Sequence, residues 1–135
     1  MTEAGVQEFV TKFAAAWAAR DGEAFVALWH PDGMLHSPLY ARPVAGRELG
    51  RLTELVRDSA PDHVWQLLDW TARGDVIVIE WQATRVVDGR RFDWRGVDRF
   101  RLREGRIAEE RVYMDTAAMR AARNLRWPEP IIALD

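Results

Sequence analysis

Apolar residues in the first part of the chain recur every three or four positions, which is the spacing of amphipathic helices. The spacing predicts three helices, over residues 2–20, 23–29 and 47–57, and a short extended piece over residues 34–37. Asp21 stands where it can cap the second helix. The longest helical stripe consists of Val6, Phe9, Val10, Phe13 and Trp17.

The second part of the chain alternates apolar and polar residues, which is typical of strands. Strands are predicted over residues 63–72, 76–87, 90–102 and 106–114, joined by short turns that contain glycine. Such connections produce an antiparallel meander, although the phase of the first strand stays open. A last short helix is predicted over residues 115–122. Helices followed by hairpins indicate an α+β fold.

The Asp88-Gly89 turn fixes which side chains share a face of the sheet. A two-residue hairpin of this type places Val87 opposite Arg90, and Asp98 then lies opposite Ile79. The face that carries Asp98 is otherwise apolar, while the opposite face is charged. One carboxylate is therefore predicted on the side of the sheet that receives the helices.

The next turn decides whether a second carboxylate joins it. A three-residue loop ending at Gly105 would place Leu102 opposite Arg106 and Glu110 directly opposite Asp98. We favour this register because it collects Ala108, Val112 and Met114 on the apolar face.

A two-residue loop is the alternative. It would turn the last strand over and place Arg111 opposite Asp98, as an ion pair without catalytic meaning.

Two carboxyl groups side by side in a poorly solvated place cannot both ionise without a large electrostatic penalty. At least one pKa should then be raised, and the pair can share one proton. Groups of this kind serve in proton transfer. The alternative is a purely structural hydrogen bond between Asp98 and Glu110.

Composition narrows the class of protein. The 135 residues suffice for one domain, and 19 basic against 21 acidic residues leave a net charge of −2, which argues against nucleic-acid binding. There are no cysteines, and the three histidines lack ligand spacing, so no metal site is expected. No signal peptide or membrane span is recognisable, and a cytoplasmic location is expected.

Seven tryptophans in so short a chain call for an explanation. Filling of the core is the simpler one, but tryptophans also form the walls of cavities that hold flat apolar ligands.

The helical opening FAAAWAARDGEAFVALWHPDG and the closing DRFRLREGRIAEERVYMD resemble the SnoaL-like and ketosteroid-isomerase-like branch of the nuclear transport factor 2 superfamily. The resemblance covers about residues 5–119, within a single domain over residues 1–135 that ends in a tail over residues 120–135. It implies a cone in which a curved sheet wraps around the N-terminal helices and encloses a deep pocket. It also implies a homodimer through the outer sheet face.

Within this family, Asp98 matches the protonated aspartic acid of the ketosteroid isomerase oxyanion hole. The tyrosine partner of that site corresponds to Phe13 and the catalytic base to Ser37, neither of which can take the role, so steroid isomerisation by that route is not expected. The aspartate, arginine and aspartate of limonene-type epoxide hydrolases correspond to Ile79, Trp81 and Val112, so that triad is absent.

We therefore predict a small-molecule-binding protein of this family that uses Asp98 and Glu110 for acid/base chemistry, as an isomerase, cyclase or related lyase or hydrolase, without a cofactor. The expected ligand is an apolar cyclic or aromatic compound. The alternative is a non-catalytic ligand-binding or dimerisation module. The predicted pocket residues are Phe13, Trp17, Trp29, Leu35, Ser37, Tyr40, Ile79, Trp81, Trp94, Gly96, Phe100, Val112 and Met114.

Four further side chains allow two interpretations each. Arg85 ends the pocket row and either meets an anionic group or, as we favour, reaches water. His36 is a pocket acid/base only if its strand has the opposite phase. Asp115 is more simply a helix cap than a catalytic group, and Tyr113 is expected on the outer face.

Overall fold

The computed structural model describes residues 1–134 and shows an α+β fold. The helices are α1 (Glu3–Ala19), α2 (Gly22–Val26), α3 (Arg47–Ser59) and α4 (Ala117–Ala122). The strands are β1 (Trp29–His36), β2 (Val44–Ala45), β3 (Val64–Arg73), β4 (Val76–Val87), β5 (Arg90–Arg103) and β6 (Arg106–Met114). They form one mixed sheet in the order β2-β1-β6-β5-β4-β3, in which only β1 and β6 are parallel.

Helix α1 follows the apolar stripe of the sequence. Thr2 caps it, since its hydroxyl oxygen accepts a hydrogen bond from the Gly5 amide at 3.1 Å. Arg20 ends it in a left-handed conformation, with φ of 53°. Apart from the half-buried Trp17, the stripe is buried, and the Phe13 ring meets the Phe100 ring of the sheet edge-on at 4.9 Å.

The second helix is shorter than predicted, and this changes the place of Trp29. Helix α2 ends at Val26, and Trp29 begins β1, where it pairs with Ile107. The Leu28 carbonyl accepts a hydrogen bond from the Ile107 amide at 2.9 Å. Because this bond pairs Leu28 with β6, the chain enters the sheet at this point and α2 does not continue.

Strand β3 contains one extra residue that settles its phase. Leu67 pairs with Trp81 and Asp69 with Glu80, so Leu68 has no partner in the ladder. The bulge reverses the alternation, and Trp65 and Trp70 consequently both pack against the core.

The register between β4 and β5 is confirmed. Val87 pairs with Arg90, and Ile79 pairs with Asp98. The two-residue turn with φ of 50° at Asp88 and 75° at Gly89 is the geometry that the sequence predicts.

The predicted register between β5 and β6 is wrong by two residues. Arg103 pairs with Arg106, so the loop has two residues, both with positive φ. A bulge at Ala108 then restores the alternation, because Leu102 pairs with Ile107 whereas Arg101 pairs with Glu109. The physical reason is Ile107, which the shorter loop places fully inside the core.

The combination of the short loop and the bulge returns the rest of β6 to the predicted face. Glu110, Val112 and Met114 all point inward, but Glu110 lies opposite Phe100, while Val112 lies opposite Asp98. The two carboxylates are therefore diagonal neighbours instead of direct cross-strand partners.

No helix within residues 1–134 is long and apolar enough to cross a membrane.

Candidate active site

A cavity of about 540 Å³ lies between the inner face of the sheet, α1 to α3 and the C-terminal segment. Eleven of the predicted catalytic and pocket residues line it, including both carboxylates. They are Phe13, Trp17, Leu35, Ser37, Tyr40, Trp81, Trp94, Asp98, Glu110, Val112 and Met114.

Four predicted pocket residues do not line the cavity. Phe100 is 0% exposed beneath Phe9 and Phe13, and Ile79 is equally covered, because α1 packs directly on this part of the sheet. Trp29 is buried against Phe25, with ring centroids 6.1 Å apart. These residues belong to the core below the cavity.

Gly96 is the fourth of these residues, and it affects the site through the Trp81 ring that lies against it. A Cβ at Gly96 would lie 2.2 Å from the Trp81 ring, so only glycine lets this ring lie across β5. The indole Nε1 of Trp81 donates a hydrogen bond of 2.8 Å to Oδ1 of Asp98. The glycine therefore determines the position of the donor that holds the Asp98 carboxylate.

Asp98 and Glu110 form a buried carboxyl pair. They are 5% and 3% exposed, and they share a hydrogen bond. No N–H or O–H donor within residues 1–134 reaches the buried Oε2 of Glu110. An oxygen that receives no hydrogen bond is the place expected for the proton of a carboxylic acid that donates to its neighbour.

The proton is assigned to Glu110 by the electrostatics of the pair. Burial raises the pKa of Glu110 well above its usual range, and the adjacent Asp98 charge raises it further. Burial also raises the pKa of Asp98, but the hydrogen bonds from Glu110 and Trp81 oppose this rise. The pair therefore carries one proton, held by Glu110, and one negative charge, held by Asp98.

Tyr40 lies beside the pair. Burial, followed by electrostatic repulsion from the Glu110 carboxyl group when that group is ionised, raises the pKa of the Tyr40 phenol to about 12. Its hydroxyl group is therefore neutral over the physiological range and can donate a hydrogen bond into the cavity.

The opposite end of the cavity contains side chains that sequence reasoning missed or discounted. His63 and Arg85 line the wall there, and neither His63 nor the nearby Trp65 was assigned to it from the sequence. The β3–β4 register is the feature that could have indicated these residues. Val64 pairs with Thr84, so the next residues along the two antiparallel strands, His63 and Arg85, lie side by side. The segment around Met119, Arg123 and Ile131 to Ala133 also lines the cavity, which no pattern in the sequence indicated.

Three other candidates lie away from the cavity. His36 does not line it, since its neighbours Leu35 and Ser37 do, and its pocket interpretation is wrong. Asp115 accepts a hydrogen bond of 2.9 Å from the Ala117 amide at the start of α4, which makes it a helix cap. Tyr113 is 56% exposed.

Comparisons with known proteins agree with this architecture. Residues 10–110 match the SnoaL-like domain family. A comparison with curated proteins finds no sequence that matches the chain.

Solved structures with the same fold include a protein of the nuclear transport factor 2-like class, of unknown function, from Burkholderia pseudomallei. It has 19% identity and a TM-score of 0.76, covering 90% of this chain and 97% of its own. A proposed SnoaL-like polyketide cyclase from Jannaschia has 19% identity and a TM-score of 0.74, covering 89% and 92%. IdmH from Streptomyces antibioticus, a proposed polyketide cyclase, has 22% identity and a TM-score of 0.70, covering 88% and 98%.

Proposed function

Since the chain belongs to the SnoaL-like domain family, we propose that it binds an apolar cyclic or aromatic compound and moves a proton on it with Asp98 and Glu110. The single observation that carries this proposal is a buried carboxyl pair in the wall of an aromatic cavity. General acid/base chemistry needs a group that can both release and accept a proton near neutral pH.

The chemistry of the pair supports either direction of transfer. Glu110 can give its proton to a ligand oxygen, and the Asp98 carboxylate can take one from a ligand carbon or hydroxyl group. The Trp81 indole stabilises the carboxylate that remains. Neutral Tyr40 can donate a hydrogen bond to negative charge that develops on the ligand.

The apolar wall supports the class of ligand. Phe13, Trp17, Trp65 and Trp94 supply flat apolar surfaces and exclude water, which strengthens electrostatic interactions within the cavity. An isomerase, a cyclase and a related lyase or hydrolase all need such a proton transfer. The fold neighbours described as polyketide cyclases are consistent with the cyclase version.

Proton exchange on a model ketone tests the proposal without knowledge of the natural substrate. We expect the protein to accelerate deuterium uptake at the enolisable carbon of 2-tetralone in D₂O, followed by NMR. Glu110→Gln and Asp98→Asn should each reduce the acceleration by about 100-fold or more, which is the usual contribution of a general acid or base.

Glu109→Gln is the matched control. Glu109 precedes Glu110 on the same strand but pairs with Arg111 on the outer face at 3.0 Å, so its loss should leave the exchange rate unchanged. If the unmodified protein does not accelerate exchange, or if Glu110→Gln exchanges at the same rate, the enzymatic proposal is overturned.

The second candidate function is a non-catalytic ligand-binding module. It is favoured by the fact that Asp98 and Glu110 satisfy one another and that Trp81 completes the network, as a purely structural pair would. Ligand binding without proton exchange would identify this function.

A homodimer through the outer sheet face belongs to the same proposal. Val97 and Tyr113 are adjacent on that face, where they pair across β5 and β6, and both are exposed. Sedimentation of the protein at micromolar concentration would test the assembly.

A further inference from the structure

Two arginines lie near the end of the cavity that is far from the acid pair: Arg85, which is half-buried, lines the cavity wall, and Arg20 is buried behind His63. Arg20 and Arg85 are not in any ion pair among residues 1–134. Each has a buried N–H group without a hydrogen-bond partner there, Nη1 in Arg20 and Nε in Arg85. Buried cations without an anion are unusual, because charged groups are taken out of water only when they are paired.

Arg20 holds His63 in a defined orientation. Its Nη2 lies 2.5 Å from Nδ1 of His63 and donates a second bond of 3.0 Å to the His63 carbonyl. A guanidinium can only donate, so Nδ1 must be the unprotonated acceptor and the ring proton must lie on Nε2. The Trp17 ring supports the guanidinium, which lies 4.9 Å from its centroid.

The surroundings keep the imidazole neutral. Burial lowers the pKa of His63 to about 4, and the charges of Arg20 and Arg85 contribute to the shift, while Asp62 opposes it. His63 therefore keeps a fixed Nε2–H donor, for which residues 1–134 supply no acceptor, beside Arg85 in the cavity wall.

Arg85 forms no ion pair among residues 1–134. Its Nη2 donates a long bond of 3.3 Å to the Ser59 carbonyl, which carries no charge. The exposed Asp62 carboxylate accepts the Val86 amide at 2.6 Å and interacts with Arg85 only at longer range. One exposed acid beside two guanidinium groups leaves a net positive charge at this end of the cavity.

We propose that His63 and Arg85 form an anion-binding end of the cavity, which holds the carboxylate of an otherwise apolar ligand. This proposal rests on the proposed function, whose ligand it makes more specific. A carboxylate supplies the acceptors that the guanidinium and the Nε2–H group lack.

The proposal also predicts the orientation of the ligand in the cavity. Arg85 is six residues along β4 from Ile79, the partner of Asp98, which corresponds to roughly 20 Å of extended strand. The carboxylate would anchor one end of the molecule, and the opposite, apolar end would extend toward Asp98 and Glu110. The reacting group is therefore distant from the anchoring group.

A pair of ligands with the same shape tests this. We expect the protein to bind biphenyl-4-carboxylate at least about tenfold more tightly than biphenyl-4-carboxamide at neutral pH, measured by calorimetry, because only the acid forms charge-assisted hydrogen bonds. Arg85→Gln should abolish this preference, because it weakens binding of the acid more than binding of the amide. Arg85→Lys should restore part of the preference.

The control is Arg91→Gln, which removes the same charge from an exposed ion pair with Asp93. It should keep the full preference for the acid. His63→Leu, which removes the Nε2–H donor, gives a second measurement if Arg85→Gln does not fold, and it should weaken binding of the acid more than binding of the amide.

The outcomes separate this inference from the proposed function. Equal binding of both ligands by the unmodified protein, or an undiminished preference in a folded Arg85→Gln or His63→Leu variant, overturns the anion-binding end alone. Failure to bind either ligand overturns it together with the proposal that the cavity takes an apolar aromatic compound.

Discussion

At the scale of single residues, the cavity depends on one position that has no side chain. Gly96 allows the Trp81 ring to cross β5, and the indole then reaches Asp98. Because the Asp98 carboxylate is buried, the loss of this hydrogen bond would leave its charge without the donor that stabilises it. The sequence predicted Gly96 as a pocket residue, but the group that lies against it is a side chain of the protein itself.

A Gly96→Ala substitution should therefore destabilise the fold and displace the indole. The added Cβ would overlap the ring, and overpacking of this kind costs about 1 to 3 kcal/mol. Denaturant unfolding measures the loss, and the indole N–H signal of Trp81 in NMR reports the lost bond to Asp98.

Arg90→Lys, at the exposed start of the same strand, serves as the control and should change stability by less than about 0.5 kcal/mol. A Gly96→Ala variant as stable as the parent protein, with an unshifted indole signal, would contradict this account.

At the scale of elements, the bulge at Ala108 decides which side chains of β6 enter the cavity. The short loop alone would turn the strand over, as the rejected alternative register required, and the bulge turns it back. The bulge therefore determines that Glu110, and not Arg111, points into the cavity.

Insertion of a second alanine after Ala108 should be far more harmful than deletion of Ala108. The deletion joins Ile107 directly to Glu109 in a regular ladder, whereas the insertion would turn Glu109 and Arg111 toward the apolar interior and Glu110 to the surface, with uncompensated buried charge. We expect the insertion to cost more than about 3 kcal/mol in the free energy of unfolding, or to give no folded protein, and the deletion to cost less.

The deletion variant gives the comparison for circular dichroism and denaturant unfolding. Should the insertion variant unfold at the same denaturant concentration as the deletion variant, the number of residues in the bulge would not determine the register.

At the scale of the whole molecule, the stability should depend on pH through two groups of opposite sign. The pKa of His63 is lowered to about 4 from 6.5, so its contribution to stability is present above pH 6.5 and is lost as the pH falls toward 4. The pKa values of Asp98 and Glu110 are raised, so their contribution is present at low pH and is lost as the pH rises through the raised values.

Above pH 6.5 the His63 contribution is constant, and a remaining decline in stability reports the acid pair. We expect the free energy of unfolding to fall with rising pH by up to about 1.4 kcal/mol per unit for each proton released. Glu110→Gln should flatten this decline, whereas Glu109→Gln should retain it, as measured by denaturant unfolding at several pH values. Identical slopes in both variants would mean that Glu110 is ionised in the folded protein.

The sequence by itself determined the α+β order of elements, the α1 stripe and the β4–β5 register, because these follow from local periodicity and from one glycine turn. It also placed Asp98 and Glu110 on the inner face, although through a loop that differs from the real one. Only the tertiary structure decided how deep the cavity is, since α1 covers Phe100 and Ile79 but leaves Trp81 and Trp94 open. It alone also joined Arg20, His63 and Arg85, because cross-strand and helix-to-strand neighbours are set by packing between distant segments and leave no periodic trace in the chain.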